Sequence, residues 1–146
     1  MTSEPSRVVV AIDGSDYSMK AADYAINLAK TTGAEIYALN IIDISSIFKV
    51  LPQTMKKELN DIGRQEARRM FQDVEDIAKK RGVEIRTEII ETSESVADAM
   101  IKYAEEKKID LIVVGTKGKS GMTKALLGSV ASKIVTYSPC PVLVVR

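Results

Sequence analysis

The sequence contains no histidine and no tryptophan, and it has a single cysteine and two phenylalanines in 146 residues. Each absence removes a class of chemistry. Without histidine the commonest general base and metal ligand is missing. Ser-His-Asp and Cys-His catalytic arrangements are therefore excluded. One cysteine and no histidine leave no donor set for a tetrahedral zinc site. A lone cysteine forms no internal disulfide, which suits a reducing, cytoplasmic location. Set between Pro139 and Pro141, Cys140 reads as a small buried filler rather than a nucleophile. No apolar run approaches the length that spans a bilayer, and Met1-Thr-Ser-Glu-Pro-Ser lacks the apolar core of a secretion signal. The net charge is +1, so nothing global points to nucleic acid or an anionic membrane. The length predicts one domain over residues 1–146, long enough for a substantial core.

What the chain does contain is a polar, glycine-rich stretch after an apolar run. Leu111-Ile-Val-Val-Gly115 leads into Thr116-Lys-Gly118-Lys-Ser-Gly-Met-Thr, and Gly128-Ser129 lie further on. A helical pattern is expected from around Met122–Ala125 to about Tyr137. Strand, glycine loop and helix together make an anion site, because glycine lets backbone approach and helix-start amides point at the charge. The Gly118-Lys119-Ser120 ending mimics a phosphate-binding P-loop. That motif needs a glycine five residues earlier, where Val113 stands. The dinucleotide fingerprint Gly-x-Gly-x-x-Gly is absent too. The pattern present is Gly115-x2-Gly118-x9-Gly128-Ser129.

The remaining chain alternates strands and helices. Arg7-Val-Val-Val-Ala-Ile12 reads as a central strand buried on both faces, with Asp13 at its carboxyl end. Ser15 or Asp16 caps the next helix, whose face is Ala22, Ala25, Ile26 and Ala29. Ala34–Ile42 is a second strand. Ile44–Pro52 reads as a loop and a candidate lid. A helix follows from Gln53 to Lys80, with Met55, Leu59, Ile62, Met70, Val74 and Ile77 as its apolar face. Val83–Glu91 alternates apolar and charged residues, as an edge strand does. Ser95 and Asp98 form a capping box for a third helix. After Ile109–Val114 and the glycine loop, the last helix uses Leu126, Leu127, Val130, Ile134 and Val135. Pro141–Val145 closes the chain as an apolar strand. This alternation predicts an α/β fold: a five-stranded parallel sheet of order 3-2-1-4-5, helices on both faces, Rossmann-like. The switch point between strands 1 and 4 then brings Asp13, Ile41 and the Gly115 loop together.

These residues carry a resemblance. Val9-Val-Ala-Ile-Asp13-Gly-Ser15, Ala38-Leu-Asn-Ile-Ile-Asp43, Ile109–Gly115 with the glycine pattern, and Ser138-Pro-Cys-Pro-Val-Leu-Val-Val145 resemble the universal stress proteins over nearly the whole chain. The glycine pattern is that of the ATP-binding branch. The resemblance implies ATP in the switch-point cleft, often with Mg²⁺ or Mn²⁺ on its phosphates, and a homodimer paired through Val142–Val145. By position, Asp13 would bind the ribose, within Ala11-Ile12-Asp13-Gly14-Ser15. Ala11 and Ile41 would border the adenine, Ile41 through its backbone. Gly115, Thr116, Gly118, Lys119, Ser120, Gly128, Ser129 and Val130 would surround the phosphates. Position 40 is Asn where many members have His.

Read from the residues alone, several roles stay open. Asp13 serves as a ribose ligand or only as a helix cap. Ser120 and Thr123 are caps or ligands, and Lys117 and Lys119 are phosphate contacts or surface charges. No dedicated general base is visible and no catalytic or metal-ligating residue is assigned, so ATP is expected as a state signal in stress response. The alternatives are a slow ATPase switch, a sensor of AMP or a cyclic adenine nucleotide, and a nucleotide-free dimeric scaffold acting on an unknown protein partner.

Overall fold

The structure is a computed structural model that describes residues 4–44, 50–117 and 127–146. Its elements in order are β1 (Arg7–Ala11), α1 (Asp16–Thr32), β2 (Glu35–Asp43), α2 (Gln53–Lys80), β3 (Ile85–Thr92), α3 (Val96–Glu106), β4 (Leu111–Gly115), α4 (Ser129–Tyr137) and β5 (Val142–Val145). The sheet order is β3-β2-β1-β4-β5, and every neighbouring pair is parallel. The predicted fold class and strand order are observed.

Strand β1 is the middle of the sheet. Its apolar run explains this place, because Val8, Val9 and Val10 are fully buried with layers on both sides. Val8 and Val10 face α1 and α2, where Ala21, Ala22, Ala25 and Ile26 give a flat helix surface that lies close on the sheet. Val9 faces the other layer, built from Met100 and Ala104 of α3 and from Ala131 and Ile134 of α4. Gly33 ends α1 in the left-handed conformation (φ 75°), donating its amide to the Ala29 carbonyl.

Two helices depart from the sequence reading. In α2 the predicted face holds only in the second half: Ala67, Phe71, Val74 and Ala78 are buried, whereas Met55, Leu59 and Ile62 are exposed. The cause is length. A 28-residue helix runs about 42 Å, and Gly63 already lies beside Ile42, near the end of β2. The turns before Gly63 reach past the strand ends. Among the described residues the last helix runs Ser129–Tyr137, with Leu127 and Gly128 non-helical before it; the start expected near Met122–Ala125 lies outside the described residues. Leu127, Val130 and Val135 are exposed, and Ala131 and Ile134 make the buried contact. Residues Met122–Leu126 and the middle of the candidate lid, 45–49, lie outside the described residues.

Candidate functional site

The chain leaves β1 toward the α1/α2 layer and leaves β4, through the glycine stretch, toward the α3/α4 layer. Neighbouring strands whose connections depart to opposite faces leave a crevice at their carboxyl ends. A cleft of about 300 Å³ occupies that place.

Its deep wall is apolar. Ala11, Leu39 and Val114 present their second-layer faces, Ile41 continues that row at the tip of β2, and Val96 and Val130 approach from α3 and α4. The backbone of Ile41 has a definite direction. Ile12 donates its amide to the Leu39 carbonyl at 2.7 Å, so Leu39 turns its polar groups toward β1. Backbone direction repeats every second residue of a strand, so Ile41 faces the same edge. There β1 has already ended at Ala11, and the chain turns into α1. Asn40 points the other way. Its Nδ2 donates to the Ile12 carbonyl at 2.8 Å and lies 3.7 Å from the Met70 sulfur, so it anchors the strand tips from the opposite face.

Asp13 lines the cleft, and its carboxylate also organises the turn that follows. Its Oδ1 accepts from the Ser15 amide at 2.9 Å and from the Ser15 hydroxyl at 2.5 Å. Gly14, at φ 85°, makes the turn, and a Cβ there would lie 2.8 Å from the Met70 methyl. Ser15 caps α1 by accepting from the Ser18 amide at 3.1 Å. The buried Ser18 hydroxyl closes the network: it donates to the Ser15 carbonyl and accepts from the Asp13 amide. Asp13 thus both braces the α1 cap and lines the cleft.

Gly115 has a packing reason to be glycine. A Cβ at this position would stand 2.8 Å from the Tyr17 Cβ and 2.9 Å from its backbone carbon and oxygen. The first turn of α1 is pressed directly onto the end of β4. Thr116 then joins three elements. Its amide donates to Val145 of β5 at 2.9 Å, and its carbonyl accepts from the Gly128 amide at 2.7 Å. The Gly128 amide is therefore spent on the loop neck rather than offered to a ligand. The next three amides, of Ser129, Val130 and Ala131, have no intrahelical acceptor, because the ladder begins with Ser132 donating to Gly128. Gly128 is the N-cap and supplies no side-chain acceptor. All three residues line the cleft, and so does Lys117.

Of the sequence-predicted residues, Ala11, Ile12, Asp13, Ile41, Gly115, Gly128, Ser129 and Val130 border this cleft. Gly14, Ser15 and Thr116 do not line it; they shape the two turns behind it. Gly118, Lys119, Ser120 and Thr123 lie outside the described residues. Sequence reasoning left out Ser18, Leu39, Val96, Val114 and Ala131. Ser18 had a usable signal, standing at helical spacing on the alanine face of α1. Val96 had one as well, as the first apolar residue after the Ser95 cap.

The α3 and α4 walls are tied together. Lys133 donates to Asp98 Oδ2 at 2.9 Å, and Ser95 donates to the same oxygen at 2.8 Å. Both bonds hold the Asp98 carboxyl below the usual carboxylate range, the lysine contributing more. Cys140 is half-buried rather than fully buried, and burial raises its thiol, which does not favour a nucleophilic thiolate. Among the described residues no three carboxylate or cysteine side chains converge as a metal cage. A divalent ion in this cleft would take its oxygen ligands mainly from phosphates and water, with Asp13 as the nearby carboxylate.

A family model described as the universal stress protein family matches residues 5–146. A universal stress protein of Methanocaldococcus jannaschii is 39% identical over 140 residues, covering 96% of this chain and 81% of the relative. Universal stress protein YxiE of Bacillus subtilis is 35% identical and covers 97% of this chain and 99% of its own length. Among solved structures, a universal stress protein from Lactobacillus plantarum superposes with a TM-score of 0.82 at 27% identity, covering 99% of this chain and 100% of that one. A universal stress protein solved in complex with cAMP has a TM-score of 0.74 at 28% identity, covering 99% and 98%.

Proposed function

Because the chain belongs to the universal stress protein family, we propose that its switch-point cleft binds an adenine nucleotide, ATP, as the state signal of a small cytoplasmic stress-response regulator. The observation that carries this reading is the join of an apolar slot and a helix start whose N-cap, Gly128, offers no side chain. Ala11, Leu39, Ile41 and Val114 make an apolar slot, and Ser129, Val130 and Ala131, the first turn of α4, line the same cleft. A planar base suits the first part. Phosphate oxygens suit the second, where the amides and the helix dipole both favour negative charge. Asp13 lines the same cleft, and its carboxylate suits the ribose hydroxyls of such a ligand. The outward-turned amide and carbonyl of Ile41 offer the base edge one donor and one acceptor, a pairing that adenine can satisfy. Mg²⁺ or Mn²⁺ would neutralise phosphate charge when bound with the nucleotide.

The cleft holds no histidine, and its only charged side chains among the described residues are Asp13 and Lys117. Neither is placed as a dedicated base, so hydrolysis is expected to be slow. The edge strand β5 carries the dimer reading. Val142–Val145 is apolar on both faces and lies at the sheet margin, beside a helix whose Val135 and Tyr137 are exposed. A second copy pairing there would cover that edge.

The test is calorimetric titration with ATP, AMP, cAMP and GTP, followed by chromatography of the ATP after overnight incubation. The reading expects saturable ATP binding, weaker GTP binding, and ATP recovered intact. The cAMP-bound relative favours a second reading, a cyclic-nucleotide sensor; tighter binding of cAMP than ATP would select it. No binding of any adenine nucleotide would leave the fold as an interaction scaffold.

A further inference from the structure

We infer that Lys117, held over the ring of Tyr17, is the residue with which the cleft reads the charge of its ligand's phosphate tail, and that Tyr17 is the positioning residue for it. The inference rests on the nucleotide reading above and adds to it the basis of discrimination between phosphorylated and unphosphorylated ligands.

Three observations place the lysine. Its Nζ lies 5.9 Å from the centroid of the Tyr17 ring, a cation–π distance. It is the one cationic side chain among the described residues of the cleft lining. Its backbone follows directly on Thr116, whose amide and carbonyl are both hydrogen-bonded, to Val145 and Gly128. The backbone that carries the ring is closely packed. Tyr17 stands in the first turn of α1, and its Cβ and carbonyl lie where a side chain on Gly115 would have to go. Helix, strand end and loop neck therefore meet at this pair.

The chemistry follows from the strengths of the two interactions. A partly exposed cation–π contact is weak, whereas an ammonium–phosphate hydrogen bond joins two full charges. A phosphate seated at the α4 amides therefore draws the ammonium from the ring, while a nucleoside leaves it there. The ring keeps the cation beside the cleft when no anion is present. Without the ring, the long lysine side chain samples solvent and must be ordered at the moment of binding.

The experiment compares adenosine with AMP, by calorimetry at two salt concentrations, for wild type, Lys117→Met, Lys117→Arg, Tyr17→Phe and Tyr17→Leu. Thermal unfolding of each variant guards against a folding defect. Lys117→Met should weaken AMP about tenfold, flatten its salt dependence and leave adenosine within about twofold. Lys117→Arg should restore most of the AMP affinity. Tyr17→Leu should weaken AMP by a few-fold at unchanged adenosine affinity, and Tyr17→Phe, which keeps the ring, should not. Equal losses for adenosine and AMP, or unchanged AMP affinity in Lys117→Met, would overturn the inference while leaving the nucleotide site standing. Wild type that binds neither of these ligands nor ATP would instead remove the nucleotide reading, and this inference with it.

Discussion

Two helix N-termini border the same cleft, and the chain treats them in opposite ways. At α1, Ser15 caps the helix, Asp13 braces Ser15, and the buried Ser18 hydroxyl closes the circuit. At α4, the cap is Gly128, which has no side chain, and its own amide is drawn away to Thr116. Both helices carry the same partial positive charge at their starts. One is satisfied by a side chain of its own N-cap, and the other has no such side chain and, among the described residues, lies along the cleft. Where an N-cap beside an apolar slot carries no side chain, that choice of residue is itself a functional signal. The third helix start in this region, at α3, follows the α1 pattern, with Ser95 accepting from the Asp98 amide.

The largest test concerns the contact that holds the two starts in place. Gly115→Ala puts a methyl group within 3 Å of the Tyr17 backbone, so α1 or β4 must shift. Overpacking of this kind costs about 1–3 kcal/mol, read by urea denaturation, and nucleotide affinity should fall with it. Removing the α1 cap comes next. Ser15→Ala should cost about 1–2 kcal/mol of stability, because the cap and a partner of Asp13 are lost together. Adding a cap to α4 is the converse experiment. Gly128 sits at φ −63° and ψ 164°, an extended conformation open to other residues. Gly128→Asp should change stability by no more than about 0.5 kcal/mol, because glycine is already a fair N-cap. It should nonetheless cut ATP affinity at least about tenfold, since its carboxylate competes for the amides and repels phosphate. A stability loss without an affinity loss would break the comparison.

The smallest effect belongs to α3. The Asp98 carboxyl is lowered in the folded state, mainly by Lys133 and then by Ser95. A lowered carboxyl contributes stability above its unfolded value, about 3.9, and loses it as pH falls through the folded value. The difference in unfolding temperature between wild type and Asp98→Asn should therefore be small and constant from pH 5 upward. It should shrink toward zero in acid, as scanning calorimetry across pH would record. A difference that grows in acid would contradict the assignment.

The sequence showed the sheet order because valine-rich runs alternate with helical patterns and leave few topologies. It showed Asp13, Gly115 and Gly128 because strand ends and glycines announce themselves. The division of labour between the two helix starts was not legible. Nothing in Gly115 alone tells that Tyr17 lies against it, because that contact joins strand and helix across nearly a hundred residues. The exposed start of α2 was missed for a related reason. Met55, Leu59 and Ile62 have helical spacing, but burial depends on how far the sheet extends beneath them.

The most direct test of the open α4 terminus is an amide NMR titration of the labelled protein with ATP. The account predicts saturable shifts at Ser129, Val130 and Ala131, with the capped amide of Ser18 little changed. Shifts concentrated at the α1 start, with the α4 amides unmoved at saturation, would contradict it.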